Sequence, residues 1–103
     1  MPTVYITAPE EAAPELARTL VEERLAACVN RFDIQSVYRW EDQVQEEPEV
    51  ALLAKTSDER YEELENRVVE LHPYDVPCIE RFDERDALES FASWCVDATE
   101  PAD

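Results

Sequence analysis

The 103-residue sequence contains no glycine. Phosphate-cradling loops and dinucleotide fingerprints need glycine where backbone meets phosphate, so both classes of nucleotide site are excluded. Any position requiring a positive φ must fall to Asp or Asn, and Asp42 in the polar stretch Glu41-Asp42-Gln43 is the expected one. Histidine occurs once, at His72, which excludes an HExxH motif and any multi-histidine metal centre within the chain. No run of 18 apolar residues exists, and the opening Met-Pro-Thr-Val-Tyr-Ile has no basic n-region. Neither a membrane span nor a signal peptide is expected, and the expected location is cytoplasmic.

Positive charge is also scarce. Nine basic residues face 26 acidic ones, for a formal net charge of −17. Such a surface repels phosphate backbones and anionic lipid, so nucleic acid and membrane surfaces are not expected partners. The acids are spread along the whole chain, and lysine appears once, as Lys55, among eight arginines. A dispersed acidic surface of this kind fits a cytosol of high salt, where counterions screen self-repulsion. A halophilic source is therefore expected.

The cysteines Cys28, Cys78 and Cys95 are odd in number, widely spaced and without a CxxC pair. Neither a disulfide framework nor a structural zinc site is signalled, and buried free thiols are expected. Cys78 lies six residues from His72, but nothing in the sequence marks its thiol as electropositive or exposed. Paired acids such as Glu10-Glu11, Glu22-Glu23 and Glu46-Glu47 read as solvated faces.

What is present is a clear alternation of periods. Val4–Thr7 is β-rich. Ala13, Leu16, Ala17, Leu20 and Val21 form the apolar stripe of a helix reaching about Arg24, started by Thr7 with Glu10 or, one turn later, at Pro14. Ala27–Val29 and Ile34–Trp40 form one long bent strand or two short ones, and Val44–Lys55 returns after the turn. Within that return, Val50–Ala54 is apolar on both faces, as a central, doubly covered strand requires.

Thr56 with Glu59 has capping-box spacing, and Tyr61, Leu64, Val68 and Leu71 mark a second helix with Glu63 and Arg67 paired outside. Val76–Phe82 reads as a strand. Asp86 and Glu89 open a third helix with Leu88, Phe91 and Cys95 inward, and Thr99–Asp103 is a short tail. The order β-α-β-β-α-β-α predicts a single α+β domain over residues 1–103. Its architecture is a ferredoxin-like βαββαβ plait with an antiparallel sheet and an extra C-terminal helix. The sheet's second face keeps aromatics and aliphatics that one helix layer cannot cover, so a homo-oligomer is expected.

Two positions stand out as candidate site residues. His72-Pro73-Tyr74-Asp75-Val76-Pro77 is a rigid corner, because proline fixes its own φ and drives the preceding residue out of the helical region. It displays the only imidazole, either as a site or simply as a helix end. Lys55 ends the buried strand just before a helix start, where sites often gather.

Taken with Leu20–Asn30, Tyr38-Arg39-Trp40, Glu49 and Lys55-Thr56, this corner resembles the CutA family of divalent-cation tolerance proteins, in order from Thr7-Ala8-Pro9 to about Trp94. The resemblance implies a cytoplasmic homotrimer, similar in architecture to PII signalling proteins, with no established enzymatic reaction. It implies a divalent cation (copper, zinc or manganese) as ligand, with His72 as metal ligand. It also implies an inter-subunit cleft lined by Trp40, Glu49, Lys55 and Tyr74.

Two departures bear on this. The family's usual glycine in the hairpin is Asp42 here. Where bacterial members have copper ligands assigned, a Cys and a second His stand at positions that are Ile6 and Leu71 in this chain. Only His72 of that set remains. A purely structural or protein-interaction trimer is the rival reading.

Overall fold

A computed structural model describes residues 1–102. Asp103, the last residue of the expected tail, lies outside the described residues. The elements are β1 (Pro2–Ala8), α1 (Ala13–Glu22), β2 (Cys28–Trp40), β3 (Gln43–Lys55), α2 (Tyr61–Leu71), β4 (Ile79–Asp83) and α3 (Glu89–Ala98). A short 3-10 turn at Asp58–Arg60 leads into α2. The strands make one antiparallel sheet in the order β2-β3-β1-β4, the plait that the sequence periods predict. With β1 on one side and β2 on the other, β3 is an interior strand, which is why Val50–Ala54 shows no polar alternation.

Directly paired residues point to one side of a sheet. Val4, Ile6 and Ala8 therefore share a face with Val50, Leu52 and Ala54, and this face meets Leu16 and Leu20 of α1 and Leu64 and Val68 of α2. Ile6, Leu20, Leu52 and Leu64 are fully buried there, each stabilising the fold by roughly 1.5–3 kcal/mol. The opposite face carries Tyr5, Thr7, Glu49, Leu53 and Lys55. Only its Lys55 end is covered by α3, whose buried Cys95 lies beside Cys28 and Lys55. At the foot of α3, Thr99 Oγ1 donates to Ser57 Oγ across 3.1 Å.

Pairing between β1 and β3 stops at Ala8 opposite Val50, whereas β2 and β3 stay paired from Cys28–Lys55 out to Trp40–Gln43. Residues 34–40 and 43–49 therefore run on beyond the sheet as a two-stranded ribbon, about 20 Å long. The one-strand alternative for residues 28–40 is the one realised.

Several local expectations are corrected. Positive φ is not confined to Asp or Asn: Arg24 (φ 62) and Glu41 (φ 50) adopt it alongside Asp42 (φ 63). Glu41-Asp42 form a two-residue hairpin turn, which needs left-handed backbone at both positions. Arg24 is held from both ends, since its Nε donates to the Glu100 carbonyl at 2.6 Å and its own carbonyl accepts from Arg60 Nε at 3.4 Å. α1 starts at Pro14's turn with no cap from Thr7. Thr56 does not cap a helix either; its hydroxyl donates to the Leu25 carbonyl at 2.6 Å.

Arg67 does not pair with Glu63 but forks onto Glu23 at the end of α1, with both bonds at 2.8 Å, while Glu63 takes Arg60. The bidentate geometry favours Glu23 over a single bond along the helix. β4 begins at Ile79, after Pro77, which lacks the N–H a ladder requires. Leu88 precedes α3 and is 74% exposed rather than inward, and neither Asp86 nor Glu89 caps that helix. Of the three free thiols only Cys95 is fully buried.

Candidate functional site: the cleft beneath the hairpin

The ribbon and the 72–78 corner bound a cleft of about 590 Å³ on the second face of the sheet. β2 contributes Val37, Tyr38 and Trp40, and β3 contributes Glu49. The corner contributes Pro73, Tyr74 and Val76, with Cys78 and Thr7 at the floor.

The corner forms because Pro73 forces His72 out of α2: its backbone is extended (φ −73, ψ 135) while its amide still donates to the Val68 carbonyl at 2.8 Å. The imidazole folds inward and is 7% exposed. Its Nδ1 accepts the Tyr74 amide at 3.1 Å, and its Nε2 faces the Thr7 carbonyl at 2.7 Å. An amide can only donate and a carbonyl can only accept, so the ring is the Nε2–H tautomer with both nitrogens committed. The expected role of His72 as a metal ligand would require one of these two bonds to open. No ring lone pair is free while these bonds stand, and His72 serves to lock the corner onto β1.

Glu49 occupies the cleft floor and is 5% exposed. Its Oε2 accepts the Tyr74 hydroxyl at 3.1 Å, and among the described residues no cation pairs with it. Burial, followed by the neighbouring Glu49 charge, pushes the Tyr74 phenol well above its ordinary range. On the opposite wall Tyr38 donates to Glu47 Oε1 at 2.5 Å, and that bond, followed by burial, pushes its phenol up to about 12. Burial and then the Glu80 charge push the Cys78 thiol upward, keeping it protonated. Since His72 has no free nitrogen, Cys78 and His72 do not form a nucleophile–base pair.

Of the expected cleft residues, one protomer gathers Trp40, Glu49 and Tyr74. Lys55 stands apart from them. It lies six residues from Glu49 along β3, about 20 Å away, and its Nζ donates to Thr3 Oγ1 at 3.3 Å under α3. Lys55 and Glu49 do not pair within the protomer. Tyr38 and Glu47 are site residues that the sequence reading passed over. A signal for them existed: a two-residue turn at Glu41-Asp42 sets Tyr38 opposite Gln45 and Ser36 opposite Glu47, which makes Tyr38 and Glu47 diagonal neighbours. Among the described residues, no group of three or more His, Cys, Asp or Glu side chains converges as a metal site.

A ferredoxin-like plait whose β2–β3 hairpin overhangs a cleft at the end of the sheet defines the class of protein. Residues 2–98 match the model of the CutA1 divalent ion tolerance protein family, and the chain belongs to that family. The divalent-cation tolerance protein CutA of Pyrococcus horikoshii is 42% identical over 97 residues, covering 93% of this chain and 95% of that one. Its counterpart in Thermus thermophilus is 44% identical over 93 residues, covering 88% and 90%. Among solved structures, the PII-like protein CutA from Nostoc superposes with a TM-score of 0.95 at 33% identity, covering 99% of this chain and all of that one.

Proposed function

We propose that this chain is a non-enzymatic, trimeric binding module in the response to divalent cations, and that the cleft holding Glu49 is where it takes its ligand. The observation that carries the reading is Glu49 itself. A carboxylate buried against one phenol, with no cation beside it, costs stability that an incoming positive charge would restore. The relatives' names supply the connection to divalent cations.

Trimerisation rests on two features of the protomer. A lone two-stranded ribbon is marginal in water, and the second face leaves Phe32 exposed on β2 and Phe82 exposed beside Tyr5. Copies that lay their ribbons along one another's sheets would remedy both. The composition argues for a cytoplasm of high ionic strength as the setting.

A direct metal contact in this cleft would be through carboxylate oxygen. Copper and zinc prefer nitrogen and sulfur donors, and here the imidazole is committed and the thiol protonated. Calorimetric titration of CuCl2, ZnCl2 and MnCl2 into the protein and its Glu49→Gln variant, at about 0.5 M KCl to screen the diffuse surface charge, tests the reading. A saturable heat that the variant loses supports it. No saturable heat in either, with the trimer intact, removes direct metal contact from the cleft; the second reading, a structural or interaction trimer, is favoured by the exposed aromatics of the second face.

A further inference from the structure

The chemistry of the cleft is more specific than a site for charge alone. Its walls are largely aromatic and aliphatic, from Tyr38, Trp40 and Tyr74 to Val37 and Val76. Its single buried charged group is Glu49, while the Asp75 carboxylate stands solvent-exposed at the rim and Glu47 is held by Tyr38. A divalent ion needs several converging oxygen, nitrogen or sulfur donors, and no such group exists among the described residues. One carboxylate balances one positive charge. Aromatic faces attract cations whose charge sits on a weakly hydrated, carbon-bearing group, and aliphatic walls favour the carbon chain. An ion of that kind meets the aromatic and aliphatic walls as well as the buried carboxylate, whereas a hydrated metal ion gains nothing from those walls.

We propose that the cleft binds a small organic monocation of the alkylammonium class, its nitrogen hydrogen-bonded to Glu49 and its alkyl part held against Trp40 and Val76. The proposal rests on the reading that this cleft is the ligand site and names what fills it. Tyr74 is the positioning residue. By donating to Glu49 Oε2 it fixes the carboxylate and leaves Oε1 as acceptor for the ammonium. The protonated state of Cys78 and the commitment of His72 leave no second anion or free imidazole on the floor to recruit a metal instead.

The test uses the intact assembly of a Trp94→Phe variant, in which Trp40 is the only fluorophore of its kind. It is titrated with n-butylammonium chloride, with n-butanol as the uncharged counterpart and with MnCl2, all at about 0.5 M KCl so that diffuse attraction to the acidic surface is screened. The expected result is a saturable change in Trp40 emission with n-butylammonium that n-butanol does not produce. Glu49→Gln should weaken it by about tenfold or more, the worth of a charge-assisted hydrogen bond. Val76→Lys is the companion variant, because an exposed position tolerates lysine and its ammonium competes at the mouth of the cleft; it should weaken n-butylammonium as well.

Equal binding of n-butanol overturns the proposal, and so does unchanged affinity in both variants. Saturation by MnCl2 without any response to n-butylammonium overturns it while leaving the cleft as the ligand site. Silence toward all three ligands overturns the cleft reading together with it.

Discussion

The Tyr74 hydroxyl reaches Glu49 Oε2 across 3.1 Å, and this bond joins the corner after α2 to the point where β3 leaves the body of the sheet. Two features that the chain separates by 25 residues thus share one buried polar contact. Removing the hydroxyl leaves the carboxylate without its donor. Tyr74→Phe should therefore lower unfolding stability by about 1–3 kcal/mol, the cost of orphaning a buried acceptor. Urea denaturation of wild type and variant measures it, and a midpoint unchanged by the substitution would show that the bond carries no stability.

All four tyrosines lie above their ordinary range: Tyr5 and Tyr61 chiefly through burial, Tyr74 through burial and Glu49, and Tyr38 chiefly through Glu47. The unfolded chain loses these protons near pH 10 while the folded protein still holds them. Their contribution is complete below pH 10 and is lost as pH rises through the folded values, so stability should fall steadily on the alkaline side. Ultraviolet titration should show little phenolate at pH 10 in the folded protein and much in urea. Comparable phenolate in both would remove the effect.

His72→Ala opens the corner. It strands the Tyr74 amide and the Thr7 carbonyl, both bound by the ring, and leaves a cavity where a buried imidazole stood. A destabilisation of roughly 2–4 kcal/mol should result, with any zinc or copper affinity of the protein unchanged. Thermal unfolding alongside metal titration separates the two, and an unchanged midpoint with abolished metal binding would reverse the assignment.

The fold was legible because its periods are clean. The alternation within Ile34–Trp40 marks a strand and the unbroken apolar run Val50–Ala54 an interior one, while the ribbon they extend into appears only from the pairing. The left-handed backbone at Arg24 and Glu41 was not legible, since neither side chain favours it; the hairpin register and the bonds from Arg24 to Glu100 and from Arg60 to Arg24 impose it from outside. The caps failed for a similar reason. Thr56 has the spacing of a helix start, yet the loop at Leu25 offers its hydroxyl a buried carbonyl, and tertiary contact overrides a local motif. At the site, Trp40, Glu49 and Tyr74 were legible only through the family resemblance, and strand pairing with the proline corner is what brings them together in one protomer. The commitment of His72 was not, because it depends on which backbone groups of β1 and the corner face the ring.

Acidic dispersal makes salt the natural stabiliser. With 26 acidic residues against nine basic ones, most carboxylates have no cation to pair with, and screening relieves their mutual repulsion in the folded state more than in the expanded chain. The unfolding temperature should climb as KCl rises from about 0.1 M toward molar concentrations. A temperature that stayed level or fell over that range would count against adaptation to high salt.

The assembly itself can be broken at a chosen face. Phe82, 51% exposed, packs against Tyr5 at 6.5 Å on the second face of the sheet, and Phe32 lies on the same face. Neither belongs to the core beneath α1 and α2, so replacing either with Asp leaves that core intact. A new carboxylate there must be desolvated if another copy covers the face, at a cost of several kcal/mol, and faces only water if none does. Phe82→Asp and Phe32→Asp should therefore convert a trimer into smaller species at molar KCl, seen by sedimentation, while far-UV dichroism stays that of a folded α+β chain. A wild type that already sediments as a monomer would end the trimeric reading, and with it the reason the ribbon extends beyond its own sheet.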